Sequence, residues 1–92
     1  LLSRGGELEP EAAFGQVLRG LRKRQGLSQE RLAHEAGLER NYISLLELGR
    51  NSASVKTIFK LAPALGISVS EFMGLVDATS KERRSSKLRQ GR

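Results

Sequence analysis

The stretch that most constrains this chain runs from Gln29 to Gly49, QERLAHEAGLERNYISLLELG. Leu32, Ala33 and Ala36 fall on one face of its first half, and Ile43 and Leu46 on one face of its second. These are helical spacings, since a half-buried strand would alternate every second residue. Gly37 lies between the halves, where a chain leaving a helix takes positive φ without the clash a Cβ brings. Ala33 is small, which lets the second helix cross close above the first. Two short helices at a steep angle follow, and the rest of the chain has to cover the apolar side they share.

The flanking sequence supplies that cover as helices. Pro10 suits a first helical turn, and Phe14, Val17, Leu18 and Leu21 repeat at i, i+3, i+4 and i+7. This first helix spans about Pro10–Gln25, with Lys23 and Arg24 complementing its dipole and Gly26 ending it at the C′ position. Ser28 is the natural N-cap of a second helix over Gln29–Ala36. A third covers Glu39 or Arg40 to Leu48 and stops at Gly49, although Glu39 is a poor hydrogen-bonding cap. Ser54 caps a fourth, in which Val55, Ile58, Phe59, Ala62 and Leu65 are expected to face inward. Pro63 falls in its last turn and predicts a kink or an early finish. Ser68-Val69-Ser70-Glu71 is a capping box, with Ile67 and Phe72 placed as its hydrophobic staple. The fold class is all-α, a five-helix bundle. Residues 1–9 are expected as a disordered arm, 10–77 as the folded domain and 78–92 as a basic, disordered tail.

Composition narrows the function. With 92 residues the chain supports one small core, and with no cysteine it has neither disulfides nor a thiolate metal site. His34 is the only histidine and lies on the outer face of the second helix, so no metal is expected. No cofactor is expected either. The sequence holds no nucleophile–base set and no glycine-rich phosphate loop, which argues against an enzyme. No apolar run approaches the roughly 20 residues that span a bilayer, and Leu1–Pro10 lacks the apolar core of a signal peptide. The expectation is a cytoplasmic protein without membrane contact or a small-molecule ligand. The formal charge is +6, concentrated in residues 78–92, where six basic groups face one acidic group. Such a balance fits a polyanionic partner, or simply a solvated end.

Two short helices joined through a glycine turn form a helix-turn-helix, whose second helix can lie in the DNA major groove. With LRKRQGLSQERLA, the turn AGL, NYIS followed by a glutamate and a glycine, and SVKTIFKLAPALGISVSEF, the chain resembles the Xre/Cro-type regulators. These are the lambda-repressor-like class that includes phage repressors and the small controller proteins of restriction–modification systems. The likeness covers about residues 11–76. It implies a transcriptional regulator that binds double-stranded DNA as a homodimer on a palindromic operator. The departures are Leu45 and Leu48, where polar residues are common, Ala53, where a proline is usual, and Pro63.

Carried over by position, the resemblance implies that Gln29 bonds the DNA backbone while Glu39, Arg40, Asn41, Ser44 and Leu45 face the groove. The side-chain chemistry agrees: Arg40 can pair bidentately with guanine, Asn41 with adenine, and Glu39 can accept from cytosine N4. The alternative is that this is the solvated face of an ordinary helix. Tyr42, Arg50, Asn51 and Ser52 suit phosphate contacts, though a surface tyrosine and a plain polar loop read equally well. The resemblance further implies a structural ion pair between Arg22 and Glu47. Val69, Phe72, Met73, Leu75 and Val76 are more apolar than one buried face requires, and mark a dimer surface or a cap on the domain's own core. An alternative function is an antitoxin- or adaptor-like interaction module on the same scaffold. With no ligand domain expected after the bundle, control by concentration and dimerisation is expected, with autoregulation.

Overall fold

The computed structural model describes residues 8–90, with side chains described for residues 8–81. In chain order the helices are α1 (Pro10–Arg24), α2 (Gln29–Ala36), α3 (Arg40–Glu47), α4 (Val55–Ala64) and α5 (Val69–Gln90). Among the described residues there is no strand pairing into a sheet, and no single helix is long and apolar enough to cross a membrane.

The boundaries follow from local chemistry. Ser28, Ser54 and Ser68 each accept the backbone N–H three residues on, from Arg31, Thr57 and Glu71, at 3.0, 3.1 and 3.0 Å. Gly37 takes φ 69° at the end of α2, where Leu38 N–H closes back on Ala33 O at 2.8 Å. Glu39 begins α3 with no side-chain cap, as its poor ranking predicts. α4 runs past Pro63 to Ala64, and Leu65 N–H still reaches Leu61 O at 3.0 Å before Gly66 closes the turn, so the proline in the last turn does not cut the helix short.

The core is a single cluster in which α1 packs on α3 and α5, and α2 packs on α3 and α4. Leu18, Leu32, Ile43, Leu46, Leu61, Leu65 and Phe72 are fully buried. Phe14 of α1 and Phe72 of α5 meet with ring centroids 5.0 Å apart, tilted by 30°. Such a pair adds about 0.5–1.5 kcal/mol beyond its area burial.

Three further expectations need correction. The first concerns α4, whose inward face is Thr57, Ile58, Leu61, Ala62 and Leu65, while Val55 and Phe59 stand 71% and 60% exposed. The helix is apolar on too many sides for periodicity to choose a face. Thr57 becomes buriable because its hydroxyl is paired with Ser54 Oγ at 3.0 Å and Tyr42 Oη at 3.3 Å. The second concerns the arm, since Leu8 is buried and its N–H donates to Ser80 O at 3.1 Å, so the fold begins at Leu8 rather than Pro10. Residues 1–7 lie outside the described residues. The third concerns the boundary at 77, which ends no element. α5 continues to Gln90 through a sequence of strong helix formers, with an exposed Asp77–Lys81 pair at 3.3 Å one turn apart. Residues 91–92 lie outside the description.

Candidate nucleic-acid interface

α3 presents two unlike faces. Ile43 and Leu46 are fully buried and fasten it to α1 and α2. On the opposite side, stepping about 100° per residue, Arg40, Asn41, Ser44 and Leu45 share one outward strip, with Leu48 at its far end. Glu39, Arg40 and Asn41 are exposed, Ser44 and Leu45 half-buried, and Leu48 exposed. The side chains of Glu39, Arg40 and Asn41 make no hydrogen bond or ion pair with the described residues. Three polar groups with unspent donors and acceptors therefore stand together at the start of one short helix.

The C-terminal end of α3 is held by a polar cluster that the fold closes over. Arg22 of α1 donates from Nε to Glu47 Oε2 at 2.6 Å and from Nη2 to Oε1 at 3.0 Å, a bidentate pair with both side chains almost wholly buried. Arg22 Nη1 donates to Leu27 O at 2.8 Å, which fixes the loop before α2. The hydrogen bond to Glu47 raises the guanidinium pKa above its ordinary value against the lowering effect of burial, and the charge of Glu47 adds to the rise. The ion pair implied by the resemblance is thus present, and it does more than join two helices.

Gln29 is the third member. Its Nε2 donates to Glu47 Oε1 at 3.0 Å, so the side chain expected on a DNA phosphate is anchored within the protein. One amide hydrogen is spent on Glu47, and the half-buried side chain keeps its second hydrogen and its oxygen for other partners. A glutamine tethered in this way is oriented before any ligand arrives.

Gly15 completes the locked end. A Cβ there would lie 2.5 Å from Leu46 O and 2.6 Å from Glu47 O, so α1 meets the end of α3 backbone to backbone. Sequence reading passed over this residue. The available signal was a glycine in mid-helix, which costs about 1 kcal/mol against alanine and so asks for a packing reason.

The loop after α3 divides in two. Tyr42 is half-buried, and its hydroxyl lies 3.3 Å from Thr57 Oγ1 and 3.5 Å from Ser52 O. Ser52 Oγ donates to Glu11 Oε2 of α1 at 3.0 Å. Tyr42 and Ser52 therefore spend these groups inside the chain and pin the loop, while Arg50 and Asn51 remain exposed on it. The loop is tied to α1 through Ser52 and carries two exposed polar side chains.

The five residues expected on a dimer surface do not share a face. Phe72 and Val76 are buried in the chain's own core, and Val69 packs partly against it. Met73 and Leu75 emerge on opposite flanks of that buried stripe. Met73 lines a cavity of about 210 Å³ with Pro10, Phe14, Ala53, Ile58 and Val76. Leu75 lines another, of about 170 Å³, with Val17, Gly20, Leu21, Arg24 and Thr79 of α1 and α5. The surplus apolar character of α5 mostly serves one chain. His34 is exposed on α2, and among the described residues no three His, Cys, Asp or Glu side chains converge as a metal site.

Comparison with known proteins agrees with this geometry. A helix-turn-helix family model matches residues 18–72. A relative from Sinorhizobium fredii, described as the uncharacterized HTH-type transcriptional regulator y4dJ, is 41% identical over 59 residues, covering 64% of this chain and 77% of the relative. The crystal structure of the clp gene regulator ClgR from Corynebacterium glutamicum superposes with a TM-score of 0.81 at 26% identity, covering 88% of this chain and 86% of that one. The restriction–modification controller protein C.AhdI from Aeromonas hydrophila superposes with a TM-score of 0.66 at 47% identity, covering 67% of this chain and 94% of that one.

Proposed function

The chain belongs to the helix-turn-helix family of DNA-binding transcriptional regulators, and we propose that it reads a two-fold-symmetric operator as a homodimer through the first turn of α3. The observation that supports this reading is the trio Glu39, Arg40 and Asn41, exposed and without a side-chain partner among the described residues, on a helix whose other end is locked. In that role Arg40 donates two hydrogen bonds to guanine O6 and N7, and Asn41 pairs with adenine N6 and N7. Glu39 accepts from cytosine N4, while Ser44 and Leu45 border the contact, Leu45 against a thymine methyl. Gln29, oriented by Glu47, and the loop residues Arg50 and Asn51 meet phosphates, which set register without reading sequence. The locked end of α3 fixes the backbone that carries these groups, which lowers the ordering entropy lost on binding.

Two subunits would enter successive major grooves about 34 Å apart. We take the DNA upstream of the protein's own gene as the first candidate operator, a reading supported by the likeness to a controller protein. The test is a binding titration on that DNA and on scrambled DNA at two salt concentrations. Tight upstream binding, abolished in an Arg40→Ala, Asn41→Ala double variant that still folds, is expected. Equal affinity for both DNAs, falling steeply with salt, would mean that only charge is felt. The adaptor-like alternative would then be favoured.

A further inference from the structure

α5 is longer than the bundle needs. It fills the core with Phe72 and Val76, and Leu8 N–H meets its Ser80 O at 3.1 Å. The helix then continues through residues 81–90, about 15 Å at 1.5 Å per residue. Those residues, KERRSSKLRQ, hold five basic groups against Glu82, whereas residues 8–80 hold nine against eight. The excess charge is therefore gathered on the extension. Lys81 pairs with Asp77 of its own helix at 3.3 Å, in solvent. Leu88 is the single apolar residue of the ten, too few to bury a face on a protein surface or a partner helix. Steps of about 100° set Arg83, Arg84 and Lys87 in one sector of the helix, with Glu82 on the far side. The helix dipole favours cations in the last turn, which accounts for Lys87 and Arg89 but not for Arg83 and Arg84. Arg83 and Lys87 also stand one turn apart, a like-charge spacing that costs helix stability until an anion lies along it.

The position of the extension names the anion. Leu8, paired with Ser80, lies two residues before Pro10, which opens α1. In that first turn Glu11 Oε2 accepts from Ser52 Oγ of the loop after α3 at 3.0 Å. Pro10 and Glu11 border one cavity with Asn51 and Ser52 of that loop and with Met73 and Val76 of α5. The start of α1, the loop carrying Arg50 and Asn51, and the point where α5 leaves the bundle therefore converge at one end of the molecule. Arg50 and Asn51 are the residues read above as meeting DNA phosphates. Duplex DNA carries one charge per about 1.7 Å of its axis, so a basic helix 15 Å long can meet several phosphates without touching a base.

We propose that residues 81–90 of α5 form a second, sequence-independent DNA contact, in which Arg83, Arg84 and Lys87 meet phosphates of the duplex beyond the bases read by α3. The inference rests on the DNA-reading role given to α3 above and lengthens the stretch of DNA that each subunit holds.

A salt series on the full chain tests it, with helical content checked by circular dichroism. The probes are the DNA upstream of the protein's own gene and a scrambled duplex of the same length. Each phosphate contact adds about 0.9 to the slope of log affinity against log salt. The Arg83→Gln, Arg84→Gln, Lys87→Gln triple variant should therefore show a slope shallower by about 2–3 per subunit on both duplexes. Its preference for the upstream DNA over the scrambled one should match that of the wild-type chain. Arg19→Gln, Lys23→Gln, which removes two exposed charges from α1, should leave the slope nearly unchanged. An unchanged slope in the triple variant would overturn the proposal and turn the search to an acidic protein partner. Equal flattening per charge in the α1 variant would also overturn it, because only net charge would then be felt. The two readings fail separately. A wild-type chain that ignores sequence yet shows the slope difference keeps the α5 contact and loses base reading by α3, while selective binding without the difference does the reverse.

Discussion

The two ends of α3 are built in opposite ways. At the C-terminal end a glycine, a bidentate ion pair and a tethered glutamine lock eight residues of helix against α1 and α2. At the N-terminal end, less than three turns away, the helix starts without a side-chain cap, and three polar residues have no partner among the described residues. At the locked end the charges of Arg22 and Glu47 are satisfied inside the chain. The open end gives up local stability for groups that only an outside partner can satisfy. The proposed reading surface lies where the helix is left uncapped, and the locked end holds that helix in place.

Removing the lock should have the largest effect. Glu47→Ala leaves the Arg22 guanidinium buried without its partner, which typically costs about 3–5 kcal/mol, and chemical denaturation should register the loss. Because the Arg22 pKa is raised, its share of this stability is fully present below the ordinary arginine value. That share is lost only as pH rises through the folded value, so on its account stability stays level through the neutral range. Gly15→Ala comes next. The new methyl meets two carbonyl oxygens, and forcing α1 away from α3 should cost about 1–3 kcal/mol. If α3 reads DNA as proposed, affinity should fall with it, because the helix is displaced from its mount.

At the open end the two quantities should part. Arg40→Ala should change folding stability by no more than about 0.5 kcal/mol, yet cost about 1–3 kcal/mol of discrimination at one base pair. Competition between the operator and single-base variants measures it. Unchanged discrimination would return Arg40 to the role of a solvated side chain. The smallest effect should carry the opposite sign. Glu39→Ser supplies the missing N-cap and should stabilise the fold by about 0.5–1 kcal/mol. If Glu39 contacts a base, the same variant should bind its operator less selectively, and a thermal melt beside a binding curve would expose the trade.

Much of this was legible in the sequence because it is local. Ser28, Ser54 and Ser68 cap helices, and Gly26, Gly37 and Gly66 follow their ends at positive φ, for reasons contained within a few residues. The faces of α1, α2 and α3 were equally readable, since each carries one clear apolar stripe against polar surroundings. The outward strip of α3 then follows by elimination.

Other features depended on what lies across the molecule. α4 and the first turns of α5 are apolar around most of their circumference, so several faces fit the sequence equally well. Only the positions of α1, α2 and α3 decided that Thr57 would be buried and Phe59 exposed, and that Phe72 and Val76 would fill the chain's own core. Gly15 and Gln29 owe their roles to Leu46 and Glu47, partners far along the chain that no local pattern announces. The sequence by itself determined where helices start, stop and turn, because those energies are settled within one or two turns of backbone. The tertiary structure decided which apolar side chains would be left over, because burial is a competition among distant surfaces for a core too small to take them all.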